Sequence, residues 1–344
     1  DSYELETLDF RFLARPKIPV TDKVVLVEIG EDSIEKLGRF PFDRSYHALL
    51  IKALKNSGAK AVIFDIFFSE SQPSDGELAS AMKDAGIVYL PFVFDIEPKR
   101  YSKMISGRGY TARTIEPLKG LAKGEGHINI GPDIDGKFRR VPLYVRYGGK
   151  VHPYLSFVAV LDYLGLTEDK IKIIPGKAIS CGPGLEIPLD DNSNMIINFS
   201  GRWGTTYHHY SYVDILQSYL APMSGERPNL SLSVFKDKVC IVGLTAAGTV
   251  DLHPNPFESL YPGMGIHAEV FNSILNRRFI SRLAREANLA ILVALILFVG
   301  IIILKTKPLK GLSMLILAIL LFISLGMALF DLFGIWMDLF YPVL

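Results

Sequence analysis

Cysteine is scarce in this chain: Cys181 and Cys240 are the two among 344 residues. With no Cys-x-x-Cys pair, zinc-ribbon and thiol–disulfide chemistry are excluded. Cys240 lies inside the apolar run 239–242 and reads as a small core residue. A charge excess of one sign is also missing, since 37 Lys and Arg balance 36 Asp and Glu to a net +1. Nucleic acid, whose binding needs a basic field to release counterions, is therefore not an expected partner, and no basic stripe precedes Arg277. The sequence has no Gly-x-Ser-x-Gly elbow and no His-Glu-x-x-His pair, so it announces neither a serine hydrolase nor a zinc protease. Internal repeats and low-complexity linkers are absent. The chain opens on polar residues at Asp1 with no cleavable signal, so an exported domain would need a span or signal upstream.

Long apolar runs are present, and all lie at the end. Residues 287–304 form an unbroken one, about 27 Å long as a helix at 1.5 Å per residue, enough to cross a bilayer core. A second run, 312–330, follows the short loop of Lys305, Lys307, Pro308 and Lys310, predicting a membrane hairpin. A third apolar stretch opens at Phe333 and is still running at Leu344, so a third span and further chain are expected beyond it. The loop lysines favour a cytoplasmic hairpin and an exported domain, whereas Arg277, Arg278, Arg282 and Arg285 on the other side favour the reverse. Large domains translocate largely regardless of charge, which leaves residues 1–280 expected outside a multi-pass inner or plasma membrane protein. Membrane lipid is the first expected partner.

The first 280 residues read as an α/β domain. Residues 24–29 are a β-branched apolar run, Tyr46, Leu49, Leu50, Ala53 and Leu54 share one face of a helix over 44–56, and 61–68 is a second buried strand. Gly58 suits the helix end between them. Ser74 or Asp75 caps a further helix through Ala85, ahead of a strand at 87–92, so parallel βαβ pairing is predicted. The middle changes character. A hairpin over 139–152 turns at Gly148-Gly149, a helix is expected over 155–164, and short strands near 171–174, 186–189 and 195–199 suggest an antiparallel insertion. Ser211 with Asp214 forms a near capping box for a helix to Tyr219. A strand at 239–242 and an amphipathic helix at 265–276 lead into a basic connector over 279–286. The fold class is thus α/β with a mixed, mostly parallel sheet, helices and an antiparallel insertion. The helical transmembrane hairpin and the start of a third span follow it.

Candidate site residues fall at strand ends. Asp65 interrupts an apolar strand, where an acid is costly unless paired or at the sheet edge. It reads either as an edge acid capping a neighbouring helix or as a ligand or metal contact. Asp133-x-Asp135-Gly136 has a superficial calcium-loop look but lacks the downstream ligands and closing Glu, so an Asp-Gly turn is expected. Gly243 to Thr249, with Thr245 inside it, has phosphate-loop glycine spacing, yet Thr249 stands where the lysine should be. Backbone amides there suit an anion, and close packing of small residues is the structural alternative. His127, Asp251, His253, His267 and Glu269 have no recognised metal spacing, and no metal or cofactor is expected. His208-His209 reads as a solvated loop end.

Taken together, an ordered series of motifs carries a resemblance. It comprises Leu37-Gly38-Arg39-Phe40-Pro41-Phe42-Asp43-Arg44, the stretch Gly58 to Asp65, and Gly126-His127-Ile128-Asn129 with Asp135-Gly136 and Arg139-Arg140. Val242-Gly243 to Asp251 and Tyr261-Pro262-Gly263-Met264-Gly265-Ile266-His267-Ala268 complete it. The series resembles the second type of CHASE sensor domain, the cyclase and histidine-kinase associated sensory extracellular domain, over about residues 9–280. Phe42 stands where Trp is frequent and Glu28 where Asp is common. The resemblance implies a tail 1–8 from a preceding span, the sensor over 9–280, a juxtamembrane connector over 281–286 and a membrane region over 287–344. It implies a bacterial receptor whose C-terminal output is most often a class III adenylate cyclase. A serine/threonine kinase, a histidine kinase or a diguanylate cyclase is the alternative, and a homodimer and an unknown extracellular signal or protein partner are expected. Ligand-binding candidates are Asp65, His127, Asp135, Gly243, Thr245, Asp251 and His267; signal-connector candidates are Arg277, Arg278, Arg282 and Arg285. A metal-assisted ectoenzyme built on Asp65, His127, Asp251 and His267 is the rival reading from another class.

Overall fold

The computed structural model describes residues 2–97, 103–182, 184–246, 248 and 251–340. Residues 2–8, expected as the end of a linker from a preceding span, lie in a helix, α1 (Ser2–Ala14), where Leu5, Leu8 and Phe12 make one buried apolar face at helical spacing. β1 (Val24–Ile29), α2 (Glu31–Leu37), α3 (Arg44–Asn56), β2 (Ala61–Phe64), α4 (Asp75–Ala85) and β3 (Val88–Ile96) then give the expected βαβαβ run. Asp43 starts α3 by accepting the Ser45 N–H at 2.9 Å, and Gly86 ends α4 in the left-handed region at φ +60°. β4 (Gly107–Arg113) runs back along β3, and β5 (Gly124–His127) pairs parallel with it.

In the middle, β6 (Arg140–Pro142) precedes the expected hairpin, β7 (Tyr144–Tyr147) and β8 (Lys150–Pro153). Its two-residue turn needs positive φ at both positions, and Gly148 and Gly149 supply +57° and +77°. α5 (Leu155–Tyr163) follows, then β9 (Lys172–Ile174), β10 (Ala178–Ser180) and β11 (Glu186–Pro188) in one small antiparallel sheet. β12 (Asn194–Ile196) pairs with β6. After α6 (Trp203–Thr206), the His208-His209 pair proves to be strand, not solvated loop end: β13 (His208–Ser211) is the outermost parallel strand beside β1. α7 (Tyr212–Leu220) begins where the Ser211 hydroxyl accepts the Asp214 N–H at 3.4 Å. β14 (Val239–Leu244), the short pair β15 (Leu252–His253) and β16 (Tyr261–Pro262), and α8 (Gly263–Leu275) complete the domain.

The main sheet has the order β13-β1-β14-β2-β3, with β5 and β4 on β3; all but β4 are parallel. Strand alternation divides the core in two. Val24, Leu26, Ile63 and Ile241 face α1, α5 and α8, while Val25, Val27, Val62 and Cys240 face α3, α4 and α7. A sheet buried on both faces explains why its strands read as continuous apolar runs.

Two apolar helices follow, α9 (Arg285–Lys305) and α10 (Pro308–Phe333), with mean hydropathy of 3.0 and 2.7. At 21 and 26 residues they are long and apolar enough to cross a bilayer. The stretch expected as a third span starts differently. Gly334 ends α10 at φ +67°, and β18 (Ile335–Trp336) pairs with β17 (Ser281–Arg282). A side chain at Gly334 would meet the Phe279 carbonyl at 2.1 Å, so the close approach needs glycine. Trp336 buries in the core of the domain, whereas Met337 and Leu339 pack with Phe322 of α10 beside Ile291 and Leu295 of α9. Phe340 is the first helical residue after this segment, and 341–344 lie outside the described residues.

Candidate functional site

An open parallel sheet offers ligands the crevice beyond its strand carboxyl ends. Asp65 stands there, one residue past β2, its backbone tied to Val242 of β14 by a 2.8 Å hydrogen bond. Its side chain is 6% exposed and lies 3.6 Å from His267 Nε2 on α8. Asp251, in the loop after β14, makes a 2.9 Å contact with His253 Nε2, and its backbone carbonyl accepts the first N–H of α8, that of Gly263, at 3.1 Å. Tyr154 stacks on His267 at 4.9 Å and meets His127 edge-on at 5.4 Å. The fold thus brings together Asp65, Asp251 and His267, with His127 behind the tyrosine.

Burial raises the Asp65 carboxyl, with His267 opposing and Asp251 adding to the rise. Burial also pushes Asp251 upward, but His253 and His267 outweigh it and hold that group below the usual range. Asp65 is the acid of the pair that keeps its proton longer. His127 is fully buried, with neither ring nitrogen hydrogen-bonded. Burial, then His152 and His267, push its pKa down to about 3, so the ring is neutral at physiological pH. Among the described residues no group of three His, Cys, Asp or Glu is placed to hold a metal ion. The cluster sets two carboxylates, Asp65 and Asp251, about the buried imidazole of His267.

The motif glycines pack this site. A side chain at Gly126 would meet the Leu155 Cα at 2.4 Å, and one at Gly263 would meet the Asp251 carboxylate at 2.1 Å. One at Gly243 would meet the Met264 side chain at 2.9 Å. Gly243 therefore serves close packing of β14 against α8. Thr245 donates its backbone N–H to Ile29 at 3.0 Å; Thr249 lies outside the described residues.

Asp135 belongs elsewhere. Fully buried Arg139 donates to Asp9 at 2.7 Å, to Asp133 at 3.1 Å and to Asp135 at 2.7 Å. The Arg139 hydrogen bond lowers the Asp135 pKa. The Asp-x-Asp-Gly turn is a cradle for an arginine, and Gly136 at φ +85° makes its bend.

Glu269, on α8 two residues beyond His267, is weighed in the sequence only as a possible metal donor. It is fully buried and accepts the Ser200 N–H at 3.0 Å, the Ser200 hydroxyl at 2.8 Å and the Tyr207 hydroxyl at 3.1 Å. Burial pushes its pKa up to about 7. An acid in an otherwise apolar helix was the available signal.

The connector arginines do not form one patch. Arg277, at φ +52°, donates to the Gly184 carbonyl at 2.9 Å. The carbonyl of Arg278 accepts from Asn198 at 3.3 Å. Arg282 grips Asp338 at 2.9 and 3.0 Å and lies over the Trp336 ring at 4.8 Å. Arg285 opens α9.

A family model described as CHASE2 domain matches residues 1–302. No curated protein and no solved structure matches the chain.

Proposed function

The chain belongs to the CHASE2 domain family, extracellular sensor domains of signalling receptors, and we propose that it forms the sensor and membrane region of a bacterial receptor that regulates a C-terminal class III adenylate cyclase. The observation that supports this reading is the route from the strand-end cluster to the membrane. His267 and Glu269 sit on α8, and from α8 the chain runs through the connector over 279–286, which carries β17, into α9. A signal that changes the contacts of Asp65, Asp251 and His267 displaces α8, and the connector carries the displacement into the hairpin of α9 and α10.

The mechanism is a population shift. The domain has two arrangements, a ligand or extracellular partner favours one by its difference in affinity, and the spans follow. A coupling of about 1–3 kcal/mol is enough for a 5- to 150-fold response. Two chains would pair, because a class III cyclase site forms between two chains, and the receptor would sit as a multi-pass protein in the inner or plasma membrane.

The test uses the natural reading frame in full. Membranes bearing the complete receptor should make cyclic AMP. Cysteine pairs at Arg282 and at Arg285, crosslinked between protomers, should drive output in opposite directions or abolish its regulation. A complete receptor that makes no cyclic AMP overturns the cyclase, and output that ignores both crosslinks overturns the connector route.

A further inference from the structure

The membrane hairpin leaves the domain through one segment and returns to it through another, 334–340. That second junction is held by α1, more than 320 residues away in sequence. Glu4, 1% exposed, accepts the Trp336 indole N–H at 3.1 Å. Its carboxylate also takes the backbone N–H of Leu339 at 3.0 Å and of Phe340 at 2.9 Å. One carboxylate from the far end of the chain thus closes two consecutive backbone amides and an indole N–H with charge-assisted hydrogen bonds. Arg11, two turns further along the same face of α1 and fully buried, donates to the Met337 carbonyl at 2.6 Å. It lies 3.5 Å from Glu4. Tyr3 stacks on Phe340 at 4.6 Å, and Phe12 meets Phe330 of α10 edge-on at 5.4 Å.

A buried ion pair is poor stabilisation, since desolvation offsets most of its attraction, whereas its geometry fixes position. The arginine is moreover incompletely satisfied: its Nε and Nη1 are buried without a hydrogen-bond partner. A purely structural contact at this place would be served better by apolar side chains. We propose that Glu4 and Arg11 form a clamp that makes α1 and residues 334–340 one mechanical unit. The sensor domain then moves the exit of α10 directly, in addition to moving the entry of α9 through the connector.

Amide hydrogen exchange on the whole chain in lipid nanodiscs tests this. In Glu4→Gln, exchange at Leu339, Phe340 and the amides of α1 should accelerate together, by about tenfold or more for loss of charge-assisted hydrogen bonds. Amides of β1 and β14 should keep their wild-type rates. Trp336→Phe, which deletes one donor and keeps the rest of the fold, should give the same local pattern at smaller amplitude. Unchanged rates at 339–340, acceleration on one side of the clamp alone, or equal acceleration throughout β1 and β14 each overturn the proposal. Should Glu4→Gln not fold, Trp336→Phe decides by the same three criteria.

Discussion

Glu269 makes the stability of this domain depend on pH with a sign opposite to that of its buried histidines. Its pKa rises from an ordinary 4.5 to about 7 in the folded chain. Between those values the folded state holds a proton that the unfolded state has lost. The stabilisation is therefore full below pH 4.5 and disappears as pH rises through 7. At about 1.4 kcal/mol per pH unit it amounts to about 3 kcal/mol when complete, and to about 2.5 kcal/mol between pH 8 and pH 5. His47 and His127 work the other way. Each is pushed from 6.5 to about 3, so the unfolded chain takes up the proton first and stability falls as pH drops below 6.5. Each costs about 2 kcal/mol by pH 5.

On these three groups, acidification from pH 8 to pH 5 removes about 1.5 kcal/mol from the wild-type chain, because Glu269 offsets most of the histidine loss. Glu269→Gln, isosteric with the protonated acid but unable to titrate, should lose about 4 kcal/mol over the same range. Urea unfolding of the whole chain in micelles, followed by tryptophan emission at a series of pH values, reads the difference directly. Parallel pH profiles for wild type and variant would refute a near-neutral titration of Glu269.

Other consequences are simpler. Arg139→Met should destabilise by about 3–5 kcal/mol, because it strands Asp9, Asp133 and Asp135 without their buried cation; calorimetry shows it as a lowered Tm. Gly126→Ala should cost at least about 1–3 kcal/mol, the range for overpacking, since the added methyl collides with the backbone of Leu155, and the same experiment measures it. Burial raises the thiols of Cys181 and Cys240, the former to about 11. Both should resist maleimide labelling until urea unfolds the chain, and rapid labelling of the native chain would contradict their burial.

Local sequence was a good guide wherever structure is decided locally. The βαβαβ run follows from apolar period, the β7–β8 hairpin from two glycines, α7 from its capping serine and the membrane hairpin from length alone. Failures occurred where a distant partner decides. β5 reads Gly-Glu-Gly-His and β13 His-His-Tyr-Ser; neither has strand propensity, and both are strands because an exposed edge of the sheet is there to pair with. α1 shows apolar residues on its exposed face too, with Phe10 60% and Leu13 54% exposed, so its moment is weak and its inner face hard to read. Ile335 and Trp336 look like the start of a span because they are apolar, yet pairing with β17 takes them back to the domain. The same division holds for the candidate site. Asp65 stood out as an acid in an apolar strand and His267 as part of the motif series, whereas Arg139 gave no sign of its role because Asp9 lies 130 residues away.

The placement of charge carries the mechanical argument further. Strand-end cluster, Glu269 and connector all lie on or next to α8, and each holds polar groups that folding alone would rather leave in water. Removing one buried charge-assisted hydrogen bond changes a conformational equilibrium by about 1.5–3 kcal/mol, roughly 10- to 150-fold. That is the size of coupling that effectors ordinarily achieve. On the proposed mechanism, no large rearrangement of the sheet would be needed for the domain to act on its spans. A single altered contact among Asp65, Asp251 and His267 can bias α8 by enough, provided the membrane helices are gripped firmly at the junctions. The β17–β18 pair, the Arg282–Asp338 grip and the Glu4–Arg11 contacts hold both of those junctions, so on the proposed mechanism a small displacement of α8 would reach α9 and α10 as rotation or tilt instead of dissipating in a loop.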